Sequence, residues 1–236
     1  VAVVNKAGGA NAQAVAEHTL GLMLALGKRM GEADRQLRQG GPIDRHRLLG
    51  RNARGRTVGI VGFGHVGAGL ARACAQGLQM QVLVHSAHAS GAALAAAGAR
   101  QASLHDLLTQ ADYVCICCSL TERTRGLIGA AEFARMKAGA FFINTARGGI
   151  HDEAALHAAL ASGHLAGAGI DVWDSEPPPH THPLLQRPQV IASPHIAGAT
   201  QESRDGATAL AIAQVRAALA GRPPPNLLNP EVWPRF

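Results

Sequence analysis

The chain has 236 residues, 47% of them hydrophobic, enough for one sizeable core or two modest ones. Only 16% are charged and Ala and Gly abound, a composition suited to close helix–sheet packing rather than disorder. The net charge of +6 favours anionic small molecules; with Lys and Arg scattered and 3% aromatic residues, no nucleic acid partner is expected.

In chain order, "VAVVN" at residues 1–5 reads as a strand. Residues 11–30, "NAQAVAEHTLGLMLALGKRM", carry helical periodicity with Asn11 as the cap. Their apolar "HTLGLMLALG" is too short to span a bilayer, and no signal peptide is visible, so a cytoplasmic protein without a membrane partner is expected. Residues 40–56 are polar and rich in Gly and Arg and read as a connector or arm. Strands and helices then alternate. Strands are expected at 57–61, 81–85, 112–118, 140–144, 167–171 and 189–192, and helices at 66–77, 94–98, 104–110, 130–136, 152–162 and 200–220. "GRPPPNLLNP" ends the last helix. Short apolar strands between amphipathic helices imply right-handed crossovers and an α/β fold with a doubly wound parallel sheet.

The four cysteines are Cys74, Cys115, Cys117 and Cys118. Strand alternation in "YVCICCSL" puts Cys115 and Cys117 on one face and Cys118 on the other, poor geometry for a tetrahedral metal site. They read as reduced, small apolar side chains, and no metal is expected.

The stretch "VGIVGFGHVGAGLARA" holds a G-x-G-x-x-G pattern between a strand and a helix, the context that makes it a dinucleotide fingerprint. Gly62 permits the tight turn, Gly64 lets the backbone approach a pyrophosphate, and Gly67 lets the helix pack on its strand. The helix N-terminus offers free N–H groups to the phosphates. Such folds place an acid about 20 positions on, to hold the ribose hydroxyls. Here Ser86 occupies that slot. Nothing repels a 2′-phosphate, yet no Arg or Lys follows before Arg100, and only His85 and His88 are near. The choice between NAD and NADP stays open, with weak discrimination expected.

Three later segments carry an acid–base constellation. "NTARGG" puts Arg147 past a strand end, where a guanidinium fork suits a carboxylate. "GIDVWDSEPP" puts Asp171 at a second strand end and Glu176 beyond it. "SPHIAGAT" puts His195 at a third. His moves a proton near neutral pH, and a Glu on its other ring nitrogen orients it.

The linked strings "GIVGFGHVG", "LTERTRGLIGAAEFARMKAGAFFINTARGGIHDEAAL", "AGAGIDVWDSEPP" and "VIASPHIAGAT" closely resemble the D-isomer-specific 2-hydroxyacid dehydrogenases, a family that includes phosphoglycerate dehydrogenase and the glyoxylate/hydroxypyruvate reductases. The resemblance implies interconversion of a small 2-oxo acid and its D-2-hydroxy acid with NAD or NADP. It implies that Arg147 binds the substrate carboxylate, that His195 is the acid/base, and that Glu176 pairs with His195. It places His65 and Val66 at the pyrophosphate, Ser86 at the adenosine ribose, and Cys118 and Thr124 along the adenosine side. Thr145, Ala146 and Asp171 fall near the nicotinamide end, with Gly198 beside it. Ser119 stands where many members carry Pro, which is expected to loosen that loop. His180 and His182 read as loop residues. A different class of function, a non-catalytic nucleotide-sensing corepressor, shares the resemblance; the intact Arg147, Glu176 and His195 favour the enzyme.

The resemblance also implies an organisation: residues 1–30 as the end of a substrate domain and its crossing helix, 31–199 as the cofactor domain, and 200–236 as a returning helix and tail. It implies a homodimer, and a further part of the substrate domain ahead of Val1. Residues 1–5 are then expected to lack sheet partners, and the helices at 11–30 and 200–220 to lose part of their cover.

Overall fold

The computed structural model describes residues 1–5 and 9–233. Seven strands form one parallel sheet: β1 (Thr57–Val61), β2 (Gln81–His85), β3 (Ala99–Gln101), β4 (Tyr113–Ile116), β5 (Phe141–Asn144), β6 (Gly167–Ile170) and β7 (Val190–Ala192). The order is β3-β2-β1-β4-β5-β6-β7. β4 and β5 are buried along their whole length, and their near-continuous apolar runs are what a sheet covered on both faces requires. Successive crossovers run outward from β1 in both directions, so the strand order reverses between β1 and β4 and opens a crevice at the strands' C-terminal ends.

Helices cover both faces. On one lie α1 (Ala12–Gly27), α3 (His65–Arg72) and α4 (Gly91–Ala96), whose Leu22, Met23, Leu26, Leu70 and Leu94 join Ile60, Val82 and Cys115. On the other lie α5 (Leu104–Gln110), α6 (Ala130–Arg135) and α7 (Glu153–Ala161), with Leu107, Phe133, Leu156 and Leu160 around Val114 and Phe142. All four cysteines are free, and Cys115 and Cys118 join opposite cores, as alternation implies. Burial pushes the Cys74 and Cys117 thiols up to about 12, so they pack as inert apolar groups.

Several expected elements change. The helix expected over 11–30 stops at Gly27; Arg29 turns left-handed at φ 54° and a second helix, α2 (Met30–Gln39), follows. Asn11 sits at the cap position of α1 but makes no side-chain capping bond. β3 was not expected; at three residues it carries too little pattern to read. α3 continues as a π-turn over Ala73–Gly77. Residues 1–5 are not a strand, and they do not lack partners. Val4 forms an antiparallel bridge with Leu227, and Leu228 N–H donates to Val3 O at 2.8 Å. Nor is α1 uncovered. Gly167 and Gly169 of β6 let it approach so closely that a Cβ on Gly169 would stand 3.0 Å from Leu22 Cβ. α8 (Gln201–Leu219) does leave apolar side chains bare, with Ile212, Val215 and Leu219 exposed. Among the described residues, no helix is long and apolar enough to cross a membrane.

One polar pair lies inside the sheet's end. Asn144 Oδ1 accepts from Ala146 N–H at 3.0 Å, so its Nδ2 is the donor, to Arg147 O at 2.9 Å and to His151 Nδ1 at 3.0 Å. His151 is 1% exposed and its Nε2, which must carry the proton, has no partner. Burial lowers its pKa from 6.5 to about 4. Folding therefore favours the neutral ring, and the stability this contributes is complete above pH 6.5 and drains away as the pH falls toward 4. The effect is on the order of 3 kcal/mol. Thermal melts across that range are expected to fall more steeply in the wild type than in His151→Leu; parallel slopes would refute the assignment.

Candidate active site

The turn after β1 is built from glycines that the geometry demands. Gly62 has φ 100°, and a Cβ there would lie 2.5 Å from Cys118 N; a Cβ on Gly67 would lie 2.3 Å from Gly62 O. These two contacts clamp β1, α3 and the loop after β4 together. Gly64 is different: its Cβ direction is open. The turn thus leaves room at the N-terminus of α3, where the first N–H groups have no intrahelical acceptor. This cradle fits a dinucleotide pyrophosphate.

Three cavities join into one groove along the strand ends. The first, about 650 Å³, is walled by His65, Val66, Cys118, Thr145, Ala146 and Arg147 among others. The second, about 870 Å³, holds Gly62, Ser86 and Thr124, and shares Gly64, Cys117, Cys118 and Ser119 with the first. The third, about 250 Å³, holds Asp171, His195 and Gly198, and shares Asn11, Val15, Thr145 and Arg147 with the first. Every site residue read from the sequence therefore lines this groove, save two. Gly67 is buried beneath the turn, and Glu176 sits behind His195.

His195 Nδ1 lies 2.7 Å from Glu176 Oε2. Burial by itself would raise the Glu176 carboxyl. The His195 hydrogen bond, the Trp173 N–H at 3.1 Å and the charges of His195 and Arg147 outweigh it and hold the group below its ordinary value. Glu176 is then an acceptor only, so the proton resides on His195 Nδ1 and Nε2 is the nitrogen left for chemistry. His195 adopts φ 56°, a left-handed conformation uncommon for a side-chain-bearing residue.

That conformation is held from below. Asp171 is fully buried. Its Oδ1 accepts from Ser193 Oγ at 2.6 Å and Ile196 N–H at 2.9 Å, its Oδ2 from Ala197 N–H at 2.8 Å, and its backbone carbonyl from His195 N–H at 2.7 Å. His18 Nε2, from α1, reaches Ser193 Oγ at 3.1 Å. Asp171 thus lines the cavity that holds His195 while committing both carboxylate oxygens to the turn that carries His195.

The neighbouring loops brace one another. Gly148 presses on the β6 loop so tightly that a Cβ would stand 2.0 Å from Trp173 O. Gly149 N–H donates to Asp174 Oδ1 at 2.6 Å, and Trp173 Nε1 to Ser193 O at 3.1 Å. Asn144 ties the turn that leads to Arg147, as described above. Thr19 donates to Val15 O, so the 2.7 Å contact between the Thr19 and Thr145 hydroxyls has Thr145 as donor. In the loop with Ser119, Thr124 Oγ1 donates to Ser119 O at 2.7 Å and accepts from Thr121 N–H at 2.7 Å. His182 caps a short 3₁₀ turn (Pro183–Gln186) and meets Glu153 at 3.1 Å. Sequence reasoning did not single out Asn144, Ser193 and His18 in these roles; "FFINTARGG" and "IASPH" offered polar residues at strand ends, a signal that was present but not specific.

The family model for the NAD binding domain of D-isomer specific 2-hydroxyacid dehydrogenases matches residues 20–197. The chain is 39% identical over 226 residues to a glyoxylate/hydroxypyruvate reductase B of Citrobacter koseri, covering 93% of this chain and 68% of that protein. It is 38% identical over 204 residues to a D-3-phosphoglycerate dehydrogenase of Archaeoglobus fulgidus, covering 86% of this chain and spanning 38% of that longer protein. The crystal structure of the TT0316 protein from Thermus thermophilus superposes with a TM-score of 0.89 at 35% identity, covering 97% of this chain and 71% of that one. The glycine cradle, the groove and the braced His–Glu pair thus belong to a chain that is a member of the D-isomer specific 2-hydroxyacid dehydrogenase family.

Proposed function

We propose that this chain carries the catalytic and dinucleotide-binding part of an oxidoreductase that interconverts a small 2-oxo acid and its D-2-hydroxy acid. The observation that carries the reading is the 2.7 Å His195–Glu176 pair at one end of a groove whose middle is a phosphate cradle. A bound nicotinamide supplies or accepts the hydride. Gly62, Gly64, His65 and Val66 would hold its pyrophosphate, and Thr145 and Ala146 its far end. Arg147 fronts the same cavity as His195 and grips the substrate carboxylate with its fork. His195 Nε2 gives its proton to the carbonyl oxygen during reduction and takes it back during oxidation, while Glu176 stabilises the ring's charged form. The braced pair favours this reading over that of a non-catalytic nucleotide sensor of the same fold.

The activities named for the two relatives point to glyoxylate, hydroxypyruvate or D-3-phosphoglycerate as the substrate type. We further propose the division into 1–30, 31–199 and 200–236, whose outer parts include residues 6–8 and 234–236 outside the described set, as substrate-domain and cofactor-domain segments. Its support is the way α8 leaves its apolar side bare. A cytoplasmic homodimer completes the proposal, supported by free thiols and by the exposed Met30, Leu37 and Leu49 on α2 and the arm.

Three substitutions test the roles in the intact enzyme. His195→Ala is expected to cut turnover about a hundredfold or more, with dinucleotide affinity nearly unchanged; normal turnover would reject the acid/base role. Glu176→Gln removes the anion that favours the protonated ring, so the pH–rate profile for 2-oxo acid reduction should move to lower pH, and an unmoved profile would count against the pair. Arg147→Lys should raise the KM for the 2-oxo acid far more than that for the dinucleotide; equal increases would show that Arg147 serves the cofactor instead.

A further inference from the structure

The groove wall at the end of β2 gains a cation that chain order hides. Ser86 is fixed there: Gln101 Nε2 donates to its carbonyl at 2.7 Å, and its hydroxyl oxygen accepts the His88 N–H at 3.4 Å. The hydroxyl proton remains available to a ligand. The same cavity of about 870 Å³ is also lined by the loop after β4, including Glu122 and Arg123. That loop is ordered by its own bonds: Thr124 N–H donates to Thr121 O at 3.1 Å, and Arg125 N–H to the same oxygen at 2.9 Å. Arg123 is exposed and, among the described residues, engages no partner. Glu122 is the single acid in the lining and Arg123 the single guanidinium.

We propose that Ser86 and Arg123 together form a subsite for the 2′-phosphate of a phosphorylated dinucleotide, so that the chain selects NADP(H) over NAD(H). The inference rests on the dinucleotide reading of the groove. A carboxylate at the Ser86 position would repel the phosphate, and its absence leaves a hydroxyl donor in its place. A guanidinium fork matches phosphate oxygens, which an ammonium would meet only as a point charge. The phosphate dianion outcompetes a ribose hydroxyl for that fork because charge-assisted hydrogen bonds are the stronger ones. Glu122 opposes it, which limits the selectivity but does not cancel it, since the carboxylate has no fixed hydrogen bond toward the cavity.

The test separates this claim from the reading beneath it. Affinities of the chain for 2′,5′-ADP and 5′-AMP are measured by calorimetry, beside NADPH and NADH by fluorescence. 2′,5′-ADP is expected to bind about tenfold tighter than 5′-AMP, the equivalent of one charge-assisted hydrogen bond. Arg123→Ala should remove the difference while leaving 5′-AMP affinity unchanged, and Glu122→Gln should widen it. Equal wild-type affinities, or a preference that survives Arg123→Ala, would overturn the subsite. Failure of both NADPH and NADH to bind would instead overturn the dinucleotide reading itself.

Discussion

One buried carboxylate organises the end of the groove that holds His195. Asp171 directly follows β6, is inaccessible to solvent, and gathers a hydroxyl and two backbone N–H groups from residues 193–197. Each such bond to a charged acceptor contributes about 1.5–3 kcal/mol. An apolar side chain at this position would leave those donors unpaired and bury them at a cost. The left-handed backbone at His195 is sustained by this over-determined turn, which pulls the chain back across the end of β6 and directs the imidazole toward Glu176.

The remaining parts depend on that anchor. Trp173 is the cross-tie: its backbone N–H fixes Glu176 and its indole N–H fixes Ser193. Gly148 lets the Arg147 loop rest directly on the Trp173 carbonyl. The Arg147 guanidinium, the Glu176 carboxylate and the His195 imidazole thus ride on three loops that brace one another. α1 adds a fourth brace, reaching Thr145 through Thr19 and Ser193 through His18. It can do so because β6 has glycines where α1 crosses it. The packing that builds the apolar core and the bonds that aim the site are therefore parts of one arrangement, with the sheet as its rigid base.

Much of this was legible from residues alone, and the limits have physical causes. β1 and β2 match expectation residue for residue because buried parallel strands are short apolar runs bounded by turns. The glycine cradle was readable because each glycine has its own steric reason, and His195, Glu176 and Arg147 because strand ends in such sheets converge. α2 was not legible: "MGEADRQLRQ" buries no residue and carries no core-facing run. Residues 1–5 look like a strand by composition, yet whether such a segment pairs is decided by residues 226–229, far along the chain. The bracket formed by Asp171 and the knot of Asn144 with His151 were hidden for the same reason. Their partners are backbone groups or side chains whose positions only the fold supplies. That Arg123 and Ser86 line one cavity is a further instance, since the two lie on different strand-end loops.

The most direct measurement is therefore made on the turn that Asp171 holds. In Asp171→Asn, one carboxylate oxygen becomes an NH₂ that faces a backbone N–H, of Ile196 or of Ala197, and cannot accept from it. The nitrogen-15 spectrum of the His195 ring reports whether Nδ1 keeps its proton and its bond to Glu176. The account predicts that the wild type shows a protonated, hydrogen-bonded Nδ1, and that Asp171→Asn loses this signature while the α3 cradle still binds 5′-AMP. An unchanged ring spectrum in the variant would contradict the claim that this carboxylate sets the geometry of the His195–Glu176 pair.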